Sequence, residues 1–309
     1  MADSKFRLIT RSDFDGLVCA VLLKEMDLID EIKFVHPKDM QDGKIPVTDR
    51  DITTNLPYVP GVHLSFDHHA SEAMRNGSQS NHIIHPDAPS AARVVFEHYG
   101  GTFRYGERFN EMMEAVDKGD SAQFSEDEIL NPTGWVLLNY LMDSRTGLGR
   151  FREFRVSNYQ LMMDLIDYCA THGIQDILKL PDVVERVELY HEHATKAKAQ
   201  LQLCTEVHHN VAVVDLRQEA TIYAVNRFMV YALFPQTNIS IHVMWGVQKQ
   251  NTVCAVGKSI TNRSSRANIG ALMLVYGGGG HENAGTCQVP NDTADGVLKE
   301  LVARINAVG

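Results

Sequence analysis

The segment that most constrains the fold is the first one, a strand–turn–helix unit with an acidic turn. Phe6-Arg7-Leu8-Ile9-Thr10 reads as a short strand, Arg11 to Gly16 as a polar turn, and 17–26 as a helix with an apolar face. Further strands are expected at 31–36, 51–55 and 62–66, the last running into Asp67-His68-His69. Short strands alternating with helices specify an α/β fold built on a parallel sheet. Such sheets bind ligands at the carboxyl ends of their strands.

Beyond residue 88 the pattern becomes mainly helical, with 91–99, 109–116 and 157–172 the clearest stretches. A Glu-, Lys- and Ala-rich stretch with few helix breakers follows Pro181 and reads as a rigid helical connector. A new pattern then begins: strands at 211–216, 239–245 and 252–258, a helix at 267–275 that ends in four glycines, and a last strand at 287–289. The expected organisation is an N-terminal parallel-sheet domain over 1–182, a connector helix over 183–206 and a smaller C-terminal α/β domain over 207–309, meeting across a cleft.

At 309 residues, 44% hydrophobic and 22% charged, the chain has the composition of a globular protein. No apolar run reaches membrane-spanning length, and Met1 to Lys5 lack the basic-then-apolar pattern of a signal peptide. A cytoplasmic protein without membrane contact is therefore expected. The net charge of -10 argues against general duplex binding, which rests on many Lys/Arg–phosphate contacts. It leaves room for a local phosphate pocket and for carboxylates offset by divalent metal. The five cysteines are scattered and never paired as Cys-x-x-Cys, so they read as small buried residues and not as a zinc site or disulfide framework.

Four clusters could carry chemistry. In Ser12-Asp13-Phe14-Asp15-Gly16, alternate residues of an extended turn can project both carboxylates to one side, and hard oxygen ligands suit Mn²⁺ or Mg²⁺. Taken alone, the cluster is also an ordinary helix start. Asp67-His68-His69 offers a metal ligand, a group that orients it and a donor for a phosphate oxygen. Asp117-Lys118-Gly119-Asp120 could add a further ligand from either aspartate, although a capped turn fits equally well. Finally, Gly277-Gly278-Gly279-Gly280-His281 can bring backbone N–H groups close to an anion. Just upstream of that run, Arg263 and Arg266 could clamp a phosphate. His191-Glu192-His193 and His208-His209 hint at a zinc hydrolase, but both read as solvated surface histidines.

Asp13-x-Asp15-Gly16, Asp67-His68-His69 and Gly-Gly-Gly-Gly-His281-x-x-Ala-Gly285 occur in one order over nearly the whole chain. Together they resemble the DHH phosphoesterases with an appended C-terminal substrate-binding domain. The resemblance implies Mn²⁺, one ion or two with Mg²⁺ as the substitute, and makes 1–182 the catalytic domain. It implies Asp13, Asp15, His68 and Asp120 as metal ligands, with Asp117 the alternative to Asp120. Asp67 would support the site, His69 would meet the substrate phosphate, and Arg11, Arg263, Arg266, Gly278, Gly279, Gly280 and His281 would bind substrate. Two departures stand out. Arg11 and Ser12 sit where a histidine is common. For the aspartate that commonly bridges the metals, the chain offers Asn55 at the expected end of the strand before Asp67, with Asp49 and Asp51 at or before that strand's start.

The expected activity is hydrolysis of a phosphoester or phosphoanhydride in a small phosphorylated substrate. A nucleotide phosphate or short single-stranded oligonucleotide is favoured, with Tyr276 a candidate surface for base stacking. Exopolyphosphatase is the alternative within the enzyme class. A phosphate-binding regulatory protein without catalysis is the alternative outside it, and a second copy of the chain is a candidate partner.

Overall fold

Leu8 and Ile9 point to opposite faces of their strand, yet both are fully buried. Burial on both faces is the mark of an internal strand in a parallel sheet. In the computed structural model, which describes residues 5–309, this strand, β1 (Phe6–Arg11), lies between β2 (Ile29–Val35) and β3 (Asp51–Thr54). Adding β4 (Leu64–Asp67) and β5 (His82–Ile84) completes a parallel sheet of order β2-β1-β3-β4-β5. The first four residues, read above for a leader, lie outside the described residues.

The turn after β1 leads into helix α1 (Phe14–Glu25), where Asp13 is the N-cap and accepts the Gly16 N–H. Gly16 is required there, because a Cβ would stand 2.0 Å from the Arg11 carbonyl oxygen and 2.7 Å from Thr10 Oγ1. Residues 14–23 of α1 are all buried, so the helix is core over most of its length and holds the end of β1 rigidly.

The chain divides into two units, one of residues 1–123 and 132–188 and the other of 124–131 and 189–309. The division falls within the helix Pro181–Leu203. The second unit carries a mixed sheet of order β10-β11-β9-β8-β7-β6, formed by β6 (Thr205–His208), β7 (Val211–Asp215), β8 (Ile239–Trp245), β9 (Thr252–Lys258), β10 (Gly279–His281) and β11 (Ala284–Val289). Its core joins Ile241, Val256 and Cys287 of the sheet to Ile269 and Met273 of one helix and Leu301 and Ile305 of another. The α/β class expected from the sequence is what is found. Among the described residues no helix is long and apolar enough to cross a membrane.

Four of the cysteines are buried, Cys204 is partly buried, and none is in a disulfide. The reading of His193 as a surface residue needs correction. It is only 5% exposed, and its Nδ1 accepts the Ala224 N–H at 3.1 Å, because this face of its helix is covered by the segment after β7.

Candidate metal and phosphate site

Asp67 closes β4 with its carboxylate fully buried. One oxygen, Oδ1, accepts the His68 N–H at 2.8 Å and faces His69 Nδ1 at 2.7 Å. The other, Oδ2, is buried with no hydrogen-bond partner among the described residues. The carboxylate therefore fixes the ring of His69, and Nδ1 carries the proton it donates. Burial pulls the His69 imidazole towards neutrality, but the bond to Asp67 outweighs this and its pKa is raised.

His68 Nδ1 lies 3.0 Å from the Ala88 carbonyl oxygen, which can only accept, so Nδ1 holds a proton. In a neutral ring Nε2 is then a lone pair, and it points at Asp120 Oδ2 from 2.9 Å. Two acceptors at that distance need a positive charge between them, either a proton or a metal cation. Asp120 ends the helix Asn110–Asp120, where a carboxylate opposes the helix dipole. That placement has no structural benefit and is understandable if a cation is held there.

Asp15 is the third member. Its carboxylate accepts the N–H groups of Ala91 at 3.0 Å and Ala92 at 2.8 Å, the first turn of the helix Ala91–His98. Donor atoms of Asp15, His68 and Asp120 all lie within 4.8 Å of one another. Burial, and then the charge of Asp120, push the Asp15 carboxyl up to about 8. His68 is pushed up to about 10, where burial is overcome by its bond to Asp120. Left to themselves, these groups must hold protons to coexist. Two carboxylates and an imidazole with excess negative charge fit a hard or borderline divalent cation, which would displace those protons.

The other expected residues fall into three places. Asp117 is taken up elsewhere, with Arg93 Nε 2.9 Å from its Oδ2 and Ser90 Oγ 2.7 Å from its Oδ1. It is Asp120 that joins His68 and Asp15. Asp13 is paired with Arg11 and is not grouped with those three donors; Asn55 donates Nδ2 to it at 3.3 Å. Arg263, Arg266 and His281 are exposed side chains of the second unit. The glycine run is more ordered than a helix-ending loop, because Gly279 to His281 pair with Ala284 to Thr286 as a hairpin. Sequence reasoning missed Ala88, Ser90 and Arg93, which orient His68 and occupy Asp117. Of these only Ser90, which caps its helix on the Arg93 N–H, carried a readable signal.

Among solved structures, the chain is similar to a pGpG-specific phosphodiesterase, PggH from Vibrio cholerae. The two share 64% identity over 99% of this chain and 100% of that one, with a TM-score of 0.86. It also shares its fold with RecJ from Thermus thermophilus in complex with Mg²⁺, at 14% identity, TM-score 0.54, and 99% of this chain against 50% of that one. CDC45 from Entamoeba histolytica shares the fold at 9% identity, TM-score 0.56, and coverages of 98% and 96%. No family model and no curated protein sequence matches the chain.

Proposed function

Because this chain belongs to the DHH family of phosphoesterases, we propose that it is a metal-dependent phosphodiesterase acting on a very short oligonucleotide, with the diribonucleotide pGpG as substrate. The observation that carries the metal reading is the approach of His68 Nε2 to Asp120 Oδ2 at 2.9 Å, with the proton on Nδ1 committed to Ala88. The substrate reading rests on the relative with 64% identity over the full chain, a pGpG-specific phosphodiesterase.

In this reading Asp15, His68 and Asp120 hold a divalent cation, Mn²⁺ for preference and Mg²⁺ as the substitute. When bound it supplies Lewis acidity, which makes water a better nucleophile and offsets charge on the phosphoryl group. His69, whose imidazolium form Asp67 stabilises through Nδ1, donates to a non-bridging phosphate oxygen. Arg11, which ends β1 and pairs with Asp13, adds a fixed positive charge at the same carboxyl end of the parallel strands as Asp67. Residues 1–182 form the catalytic domain, 183–206 the connector, and 207–309 the substrate domain. Within 207–309, Gly278, Gly279, Gly280, His281, Arg263 and Arg266 are the proposed substrate-binding residues. Water enters and two GMP molecules leave, with no other reactant needed.

The test is a comparison of substrates at equal concentration: pGpG, longer oligonucleotides, adenosine bisphosphate and polyphosphate, each with added Mn²⁺. Preference for pGpG over the longer chains supports the assignment. Preference for polyphosphate would replace it with an exopolyphosphatase.

A further inference from the structure

Asp13 and Asp15 leave β1 one residue apart, yet the chain treats their charges differently. Asp15 is given only uncharged donors, the backbone N–H groups of Ala91 and Ala92 and the Cys19 thiol, and shares its surroundings with Asp120 and His68. Asp13 is given a cation of the chain's own, since Arg11 Nε lies 2.8 Å from its Oδ2. Its Oδ1 accepts the Gly16 N–H at 3.0 Å and Asn55 Nδ2 at 3.3 Å. Both oxygens of Asp13 are thus engaged, and it is absent from the groups of side chains spaced to share an ion.

Asn55 is the residue that makes this arrangement self-sufficient. It is 1% exposed, and its backbone is left-handed at φ 54, a conformation that Asn tolerates better than most residues. Its amide can present only the NH₂ end to Asp13, because the oxygen would set two acceptors against each other. A carboxylate at position 55 would instead face Asp13 as a second anion and call for a cation between them.

From this asymmetry we infer that the chain binds one divalent cation, at Asp15, His68 and Asp120, and that the guanidinium of Arg11 is the second positive charge of the site. The inference rests on the metal-dependent reading above. Asp13 is then a positioning residue for Arg11 and not a metal ligand. An arginine in this role keeps its charge at all accessible pH values, cannot be removed by a chelator, and offers planar N–H donors to phosphate oxygens. It cannot generate a nucleophile, so activation of water falls to the single cation.

The experiment is a titration of the metal-free full-length chain with Mn²⁺, reading the free ion by electron paramagnetic resonance. The wild type should take up one tight equivalent per chain. Asp13→Asn should keep that equivalent, and Asp15→Asn should lose it. Combining Arg11→Ala with Asn55→Asp, which exchanges the built-in cation for a further carboxylate, should gain a second equivalent. Two tight equivalents in the wild type, loss of the equivalent in folded Asp13→Asn, or a double variant that stays at one would overturn the inference and leave metal dependence standing. A wild type that binds no Mn²⁺ would instead overturn the metal reading itself. The wild-type count decides even if a variant does not fold.

Discussion

His69 Nδ1 stands 2.7 Å from Asp67 Oδ1, and the carboxylate that holds it is fully buried at the end of β4. Asp67 therefore acts through His69, setting its tautomer and raising its pKa. In Asp67→Asn the amide can still occupy the space, but it no longer stabilises an imidazolium. The expected loss is about 10–100-fold in kcat, with a smaller change in KM. Steady-state hydrolysis of pGpG measures both, and a KM effect alone would assign Asp67 to binding.

Arg7 and Asp51 tie β1 to β3 away from the site. Arg7 Nε and Nη2 reach the two carboxylate oxygens of Asp51 at 2.7 and 3.0 Å, and the Thr48 N–H adds a bond of 2.6 Å. Burial pushes the Asp51 carboxyl up, but Arg7 and Thr48 outweigh it, and its pKa is lowered. A lowered carboxylate contributes stability above its unfolded value of about 3.9 and loses it as pH falls through the folded value. Asp51→Asn should cost about 2 kcal/mol at pH 7. That deficit should shrink as pH falls below about 4, as urea unfolding at pH 7 and at progressively lower pH would show.

His82 works in the opposite sense. It is 6% exposed, stacks on Tyr58 at 4.9 Å, and neither ring nitrogen has a hydrogen-bond partner among the described residues. Burial pulls its pKa down, and Asp67 and Glu72 oppose this only in part. The unfolded chain then takes up the proton first as pH falls below about 6.5, and the folded state loses up to about 1.4 kcal/mol per pH unit. His82→Phe keeps an aromatic stack and removes the titration, so its stability should be flatter between about pH 6.5 and 5. An unchanged slope would assign the acid sensitivity to other groups.

Two neighbouring glycines separate fold from function in the second unit. A Cβ at Gly278 would stand 2.2 Å from the Thr286 carbonyl oxygen, whereas one at Gly279 meets nothing within 4 Å. Gly278→Ala should destabilise by about 1–3 kcal/mol, and Gly279→Ala by less than about 0.5 kcal/mol. If the run approaches the substrate, Gly279→Ala should nonetheless raise KM for pGpG at unchanged thermal stability.

What the sequence made legible was local. The strand before Asp13, the strand end that carries Asp67 and the strands 239–245 and 252–258 follow from apolar periodicity and turn residues. The helix after β1 does too, but it starts at Phe14 and not at 17, so Asp15 lies in its first turn and not in an extended turn. The choice between Asp117 and Asp120 did not follow, because it depends on Arg93, distant in sequence. The pairing of Arg11 with Asp13, and the left-handed backbone that aims Asn55 at the same carboxylate, were equally out of reach. The short strands β5 and β10 and the helix Ala294–Val308 were also not anticipated. β5 is three residues long and β10 is mostly glycine, so neither has a usable pattern. The helix itself carries a readable signal, with Ala294, Leu298, Leu301 and Ile305 at helical spacing.

The most direct measurement is hydrolysis of pGpG by chelator-treated protein, with and without added Mn²⁺, for the wild type and Asp120→Asn. The account expects GMP from the wild type only when the ion is restored, and at least a hundredfold less (~10²) from Asp120→Asn under the same conditions. Turnover that ignores the chelator, or that survives loss of the Asp120 carboxylate, would contradict it.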